Sequence, residues 1–230
     1  MVKDLTLMVC CHNHAHYLEY MVNDIFDQTL HRHRWKLLII FDECTDDSEE
    51  VFKKIWQRQC GERHLDENWL EVRILRRSKK EGLAACKNFG LRYCDTEFLT
   101  FLDADDGMLP DRLQIQLDFV QKNKDVDICS TGMWVKKGTD DRMFVSFFGN
   151  NDYQHHEDIM MRLPHENVIC GASVMMAVET LKEMGGYSED PRHKGIEDWA
   201  LWVKCLSRGK RFYKIPERLY VWRNRTSAER

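Results

Sequence analysis

Four prolines and twelve glycines in 230 residues are too few for a collagen-like or low-complexity chain. Neither sign of charge dominates. The 34 basic and 38 acidic residues leave a net charge of −4, so the basic field that holds most nucleic-acid binders is missing and no nucleic-acid partner is expected. Long apolar runs are also missing. The longest, Val168 to Val178, falls well short of the ~20 residues a membrane-spanning helix needs. The N-terminal apolar run after Lys3 and Asp4 is too short for a secretory signal and lacks its small-residue cleavage site. The nine cysteines are odd in number and include no Cys-x-x-Cys, which fits neither a zinc knuckle nor a closed disulfide framework. Reduced thiols are the simplest reading, and these absences together predict a soluble, cytoplasmic protein. What the chain does have is core material: 43% of its residues are hydrophobic, and a chain of this length buries about 70–75% of its unfolded surface.

The first half alternates two periodicities. Leu5 to Cys11, Leu37 to Phe41, Val72 to Leu75 and Phe98 to Leu102 are short apolar runs, expected as buried strands. Between them, Tyr17 to Leu30 and Ser48 to Gln59 carry apolar residues at helical spacing, and Gly82 opens a helix expected to run to about Cys94. A βαβαβαβ order implies an α/β fold: a mostly parallel, Rossmann-like sheet with helices on both faces and ligands beyond the carboxyl ends of its strands. A helix is expected over Arg112 to Lys122. The pattern is then mixed, with strand-like stretches at Ile128 to Val135, Met143 to Phe148 and Ala172 to Ala177. A helix from Asp198 to Ser207 and short strands at Phe212 to Ile215 and Leu219 to Trp222 follow. No linker divides the chain. One domain over 1–230 is expected, with a ligand-binding half over about 1–106 and a smaller mixed region over about 107–230.

Three acidic groups carry candidate chemistry. Phe98 to Asp106 ends in Asp103-Ala-Asp105-Asp106, and Asp103 and Asp105 share a face if the strand stays extended. Two carboxylates at the open end of a parallel strand suit Mg²⁺ or Mn²⁺. The same residues also suit a polar turn in which Asp106 or Asp111 caps the next helix. Asp42 to Asp47, at the end of another strand, offers acceptors for a base or ribose, or an ordinary acidic turn with an N-cap. Glu197 and Asp198 open a helix, where an acid complements the dipole or, facing a cleft, serves as a general base. His12, His14 and His16 alternate like a metal stripe, but they leave a strand for a turn, and capping duty suits them better. Lys79, Lys80 and Lys87 surround the third strand-to-helix turn and offer charge to a diphosphate, although basic loops are usually just solvated.

In this order the residues resemble glycosyltransferase family 2, whose members have the GT-A fold. The resemblance rests on Val9-Cys-Cys-His-Asn13 with Tyr17-Leu18, Gln28-Thr29 and Asp42-Glu43-Cys44-Thr45-Asp46-Asp47. It continues through Gly82-Leu-Ala-Ala-Cys86-Lys87-Asn88-Phe-Gly90, Leu102-Asp-Ala-Asp-Asp106 and Gly185-Gly-Tyr187, and ends at Glu197-Asp198-Trp199. It implies an inverting transfer from a nucleoside-diphosphate sugar, most often a UDP-sugar, to an acceptor hydroxyl on a glycan. Carried over position by position, Cys10, His12 and Glu43 would contact the nucleoside, with Asn13 in the same motif. Asp103 would lie on the ribose or metal side, Asp105 would ligate Mn²⁺ or Mg²⁺, and Asp198, flanked by Glu197 and Trp199, would be the base. Lys87 stands where the family motif has Arg. Arg223 or Arg225 would meet the diphosphate, since Trp222 to Arg225 lacks the His found in many relatives. Acceptor-reading residues are expected in the second half, with His165, Glu166 and Asn167 as candidates. The alternative is a nucleotide-sugar-binding module without catalysis. A phosphohydrolase with an Asp-x-Asp nucleophile fits poorly, because its motif would follow the first strand rather than the fourth.

Overall fold

In Leu5–Cys11 (β1) the one hydroxyl is that of Thr6, so both faces of this strand need covering, as in a parallel sheet. The computed structural model describes residues 3–137, 143–145 and 153–224. It places β1 between Trp35–Asp42 (β2) and Phe98–Asp103 (β4), with Glu71–Arg77 (β3) beyond β2, all parallel. The crossovers are Leu18–Phe26 (α1), Ser48–Glu62 (α2) and Leu83–Leu91 (α3). Side-chain alternation sorts two apolar clusters. Leu5, Leu7, Val9 and Cys11 face α1, α2 and Arg112–Lys122 (α4). Met8, Leu38 and Ile40 face α3 and the C-terminal helices. Helices therefore cover both faces. At Gly90 an added Cβ would lie 2.6 Å from Ile40 Cδ1, so glycine lets α3 approach the sheet.

The second half completes the sheet. Gly107–Met108 (β5), Ile128–Lys137 (β6), Met143–Val145 (β7), Met175–Ala177 (β8) and Phe212–Asn224 (β9) give the order β3-β2-β1-β4-β8-β6-β9-β5, with β7 on β6. Strand β8 is antiparallel to β4 and β6, while β9 runs parallel to β6. His156–Arg162 (α5), Val178–Glu183 (α6) and Glu197–Ser207 (α7) pack on the Met8 face. No helix among the described residues is long and apolar enough to cross a membrane. All nine cysteines are free thiols.

Three details depart from the sequence expectation, each for a physical reason. The expected strand over Ala172 to Ala177 begins as a 3-10 turn at Gly171–Ser173. There, Arg112 Nη2 donates to Ala172 O (2.9 Å) and Gln116 Nε2 donates to Ser173 O (2.9 Å). Side chains thus satisfy carbonyls that a ladder would otherwise have to satisfy. The two short strands expected after residue 211 are one strand, β9, whose register against β6 shifts at Gly132. Pro216, which lacks the N–H that a ladder needs, sits in that irregularity. Helices α5 and α6 are additions: α5 lies in a polar stretch, and α6 is a short, mostly polar helix that begins where the apolar run ends at Val178. The expected stretch from Met143 to Phe148 is described only as β7, and its remainder lies outside the described residues.

Asp24 of α1 accepts the Met108 N–H (3.0 Å), joining α1 to β5. Burial pushes its carboxyl up to about 6, against the pull of that N–H and of Arg223. An acid whose folded pKa exceeds its unfolded value costs nothing below the unfolded pKa of about 3.9. The cost grows as pH rises and is complete above about 6, reaching about 3 kcal/mol for two pH units. Asp24→Asn keeps an acceptor for Met108. It is expected to match or exceed the wild type in denaturant melts at pH 7.5, with the difference vanishing near pH 4.

Candidate active site

Strand β4 stops at Asp103 because the chain turns there: Asp106 N–H donates back to Asp103 O (3.0 Å). Asp103 and Asp105 therefore do not alternate along an extended strand, the geometry on which the sequence argument relied. They remain neighbours, and the Asp105 charge bears on Asp103. Asp106 does not cap α4. Its buried carboxylate accepts the Tyr220 hydroxyl (2.6 Å) and the Arg223 N–H (2.8 Å), which pins the end of β9 over the end of β4. Burial, helped by Asp103 and Asp105, holds the Asp106 carboxyl well above the usual aspartate range.

Beyond these strand ends lies a cavity of about 380 Å³ lined by Lys87, Asp103, Glu197, Asp198, Tyr220 and Trp222, among others. Lys87, on α3, is 5% exposed. Its ammonium lies 4.9 Å from the ring centroids of both Phe101 and Tyr187. Burial alone would lower its pKa, but Tyr187, Asp103, Cys10 and Asp198 together lift it above the ordinary lysine range. Burial likewise raises Asp103, with Asp105 and Asp198 adding to the rise and Lys87 and Arg112 opposing it. The lining thus carries more carboxylate than ammonium.

Glu197 and Asp198 form the first turn of α7. Glu197 Oε2 accepts the Gly195 N–H (2.7 Å). Asp198 Oδ1 accepts the Trp199 N–H (2.7 Å), and Oδ2 accepts Asn167 Nδ2 (3.2 Å). Trp199 lies outside the cavity lining, and its Nε1 donates to Leu163 O (2.7 Å), tying α7 to the end of α5. Trp222 borders the cavity and is 42% exposed.

The remaining expected residues sit at the carboxyl ends of β1 and β2. Cys10 pairs in register with Asp103 and Ile40, and the neighbouring Cys86 thiol together with burial pushes its thiol pKa up. His12 Nδ1 donates to Asp42 O (2.7 Å). Asn13, in the left-handed region at φ 56°, clasps the acidic turn: its Oδ1 accepts the Thr45 N–H (2.8 Å) and its Nδ2 donates to Thr45 Oγ1 (2.9 Å). Glu43 is exposed, and its Oε2 accepts the Lys80 N–H (2.8 Å). Asp42, by contrast, is buried against Arg77 (2.9 Å). The Arg223 guanidinium lies over the Tyr20 ring, 4.3 Å from its centroid, rather than in the cavity lining. Arg225 lies outside the described residues. His165 is exposed and Glu166 pairs with Arg162 (3.2 Å); neither borders the cavity.

The contacts that position the site have no signature in the sequence, even where the residues themselves stand in a motif or among the candidates. Asn88 accepts the Tyr187 N–H (2.8 Å) and donates to Tyr187 O (2.8 Å), locking the Gly-Gly-Tyr turn onto α3. Arg112 is fully buried beneath the Tyr220 ring and joins Thr100 to Ala172. Asn167 reaches Asp198 across 31 positions.

Among the described residues, no group of three or more His, Cys, Asp or Glu side chains is placed to hold a metal ion. Asp103 borders the cavity, whereas Asp105, two residues on, is half-buried outside its lining; as adjacent carboxylates they are the donor type such an ion takes. A small divalent cation commonly takes one or two protein carboxylates and completes its octahedron with substrate phosphate and water.

A mostly parallel curled sheet, with a carboxylate-lined cleft where its strands end, defines the chain as a GT-A-type fold. Solved glycosyltransferases share it. Staphylococcus aureus TarS, residues 1–349 in complex with UDP-GlcNAc, superposes with a TM-score of 0.75 at 16% identity, covering 98% of this chain and 60% of that one. The mannosyltransferase PcManGT of Pyrobaculum calidifontis, in complex with GDP-Man and Mn²⁺, gives 0.72 at 18% identity, covering 96% and 57%. A sequence profile for glycosyl transferase family 2 matches residues 6–185, and the chain belongs to that family. Among curated relatives, the putative glycosyltransferase EpsE of Bacillus subtilis (strain 168) is 24% identical over 200 residues, 84% of this chain and 64% of EpsE. The chain therefore spans a little under two thirds of that relative's length.

Proposed function

We propose that this chain is an inverting glycosyltransferase. It moves a sugar from a nucleoside-diphosphate sugar, a UDP-sugar, to an acceptor hydroxyl on a glycan. The observation that carries the proposal is the gathering of Lys87, Asp103 and Asp198 around one cavity at the carboxyl end of the sheet. The nucleoside lies along Cys10, His12, Asn13 and Glu43, where the β1 and β2 ends present backbone and side-chain partners. Asp105 and Asp103 would hold Mn²⁺ or Mg²⁺. When bound, the metal supplies positive charge for the leaving diphosphate. Lys87 adds a fixed ammonium in the same cavity, and a guanidinium from Arg223 or Arg225 is expected to reach the diphosphate only once the donor is bound. Asp198, on the wall of the same cavity, accepts the acceptor hydroxyl's proton as the oxygen attacks the anomeric carbon. Attack opposite the leaving group inverts that centre in one displacement. Glu197 and Trp222 border the space left for the acceptor. The complexes of TarS with UDP-GlcNAc and of PcManGT with GDP-Man and Mn²⁺ support the donor class and the metal.

The test is a thermal-shift screen of UDP- and GDP-sugars with and without Mn²⁺, followed by transfer to a glycan panel. A ligand at 100 times its Kd adds about 2.7 kcal/mol to the folded state. A metal-dependent shift with UDP-sugars is expected. Indifference to every nucleotide sugar would count against the proposal, and binding with neither transfer nor hydrolysis would favour a non-catalytic module.

A further inference from the structure

We infer that Asn167 is the positioning residue for the Asp198 carboxylate and that Gly171 supplies the space in which that carboxylate is held. The inference rests on the proposed role of Asp198 as base. Two hydrogen bonds fix the carboxylate, one to each oxygen: the Trp199 N–H on Oδ1 and Asn167 Nδ2 on Oδ2. Asn167 is itself oriented, because its Oδ1 accepts the Ile169 N–H (3.2 Å). That bond sets which end of the amide faces Asp198. A flipped amide would bring two acceptors together and lose both bonds.

The support behind Asn167 is rigid. Val168 and Ile169 are buried in the core on the Met8 face of the sheet. Two residues further on, Gly171 packs directly on Asp198: a Cβ there would lie 2.7 Å from Oδ2 and 2.8 Å from the Asp198 Cβ. The turn carrying Gly171 is bolted to α4 by Arg112 and Gln116. Trp199 ties α7 to Leu163 at the other end of the same segment. Base and orienter thus share one rigid unit on the cavity wall. An aspartate on an exposed first turn swings freely about χ1 and χ2, and here that freedom is removed. The effect is large in principle, since a misplacement of about 1 Å can cost roughly 10²-fold in rate.

A double-mutant cycle tests the inference. Release of UDP is measured with Mn²⁺ and a glycan panel as acceptor, with UDP-glucose, UDP-galactose and UDP-N-acetylglucosamine each as donor in turn. The proteins are the wild type, Asn167→Ala, Asp198→Asn and the double variant. Asn167→Ala is expected to lower kcat by roughly ten- to a hundredfold while the donor KM, UDP affinity and Tm stay close to wild type. In the Asp198→Asn background the same change is expected to cost less than about twofold, because the group it orients is gone. Gly171→Ala, which must displace the carboxylate, should show the same non-additivity. Crystals of Asn167→Ala should show Asp198 turned from its wild-type rotamer. Equal losses in both backgrounds, or an unmoved Asp198, overturn the positioning role while leaving the base in place. Full activity of Asp198→Asn overturns the base itself and the inference with it.

Discussion

Asp198→Asn should reduce sugar transfer by 10²–10⁴-fold, the usual contribution of a well-placed general base, and change UDP affinity far less. Asparagine keeps the size of the side chain and an acceptor for the Trp199 N–H, so α7 keeps its start. It cannot take a proton. Asp198 has no hydrogen bond to the strand ends where the diphosphate would lie and reaches Lys87 and Asp103 only through its charge, so nucleotide binding should change far less than the rate. The measurement pairs initial rates of UDP release with calorimetric UDP titration. A parallel fall in affinity would place Asp198 in donor binding instead.

Lys87→Met should cost folding stability as well as activity. The ammonium is 5% exposed, between the Phe101 and Tyr187 rings. It offsets the charges of Asp103 and Asp198. Removing one partner of a buried charge cluster typically costs about 3–5 kcal/mol, or roughly 10 °C in Tm for a chain of this size. The pH dependence separates charge from packing. Burial already raises the Asp103 pKa, and losing Lys87 raises it further. The penalty is absent below the unfolded pKa and grows as pH rises above it. The stability gap between variant and wild type should therefore narrow from pH 7.5 to pH 5. A gap that does not change with pH would assign the loss to packing. Lys87→Arg, which restores the charge, should recover most of the stability.

The half of the fold that could be read from sequence is the half where one periodicity maps onto one element. Strands β1 to β4 and helices α1 and α2 announce themselves by apolar spacing, and the carboxyl ends of β2 and β4 carry the acidic motifs. Legibility ended where tertiary partners set the local structure. Arg112 looks like an ordinary charge at the start of an amphipathic helix, yet it is fully buried and bends the Gly171–Ser173 turn. Asp106 was open to reading as a cap, yet it clamps Tyr220 and the Arg223 backbone 114 and 117 positions away. Trp199 stands beside the candidate base in sequence, but its indole bonds Leu163. Asn167 carries no spacing signal at all, because its partner lies on another element. Periodicity reports which way a side chain faces, and it is blind to a hydrogen bond between segments that only the folded chain brings together.

The most direct test of the site is a crystal structure grown with UDP and Mn²⁺. The diphosphate is expected beside Asp103 and Asp105, with its free end opening on the cavity that Asp198 faces and the base along Glu43 and His12. UDP bound elsewhere, such as in the roughly 500 Å³ surface pocket lined by Arg77, Asn88 and Arg92, would contradict the assignment of this cavity as the site of transfer.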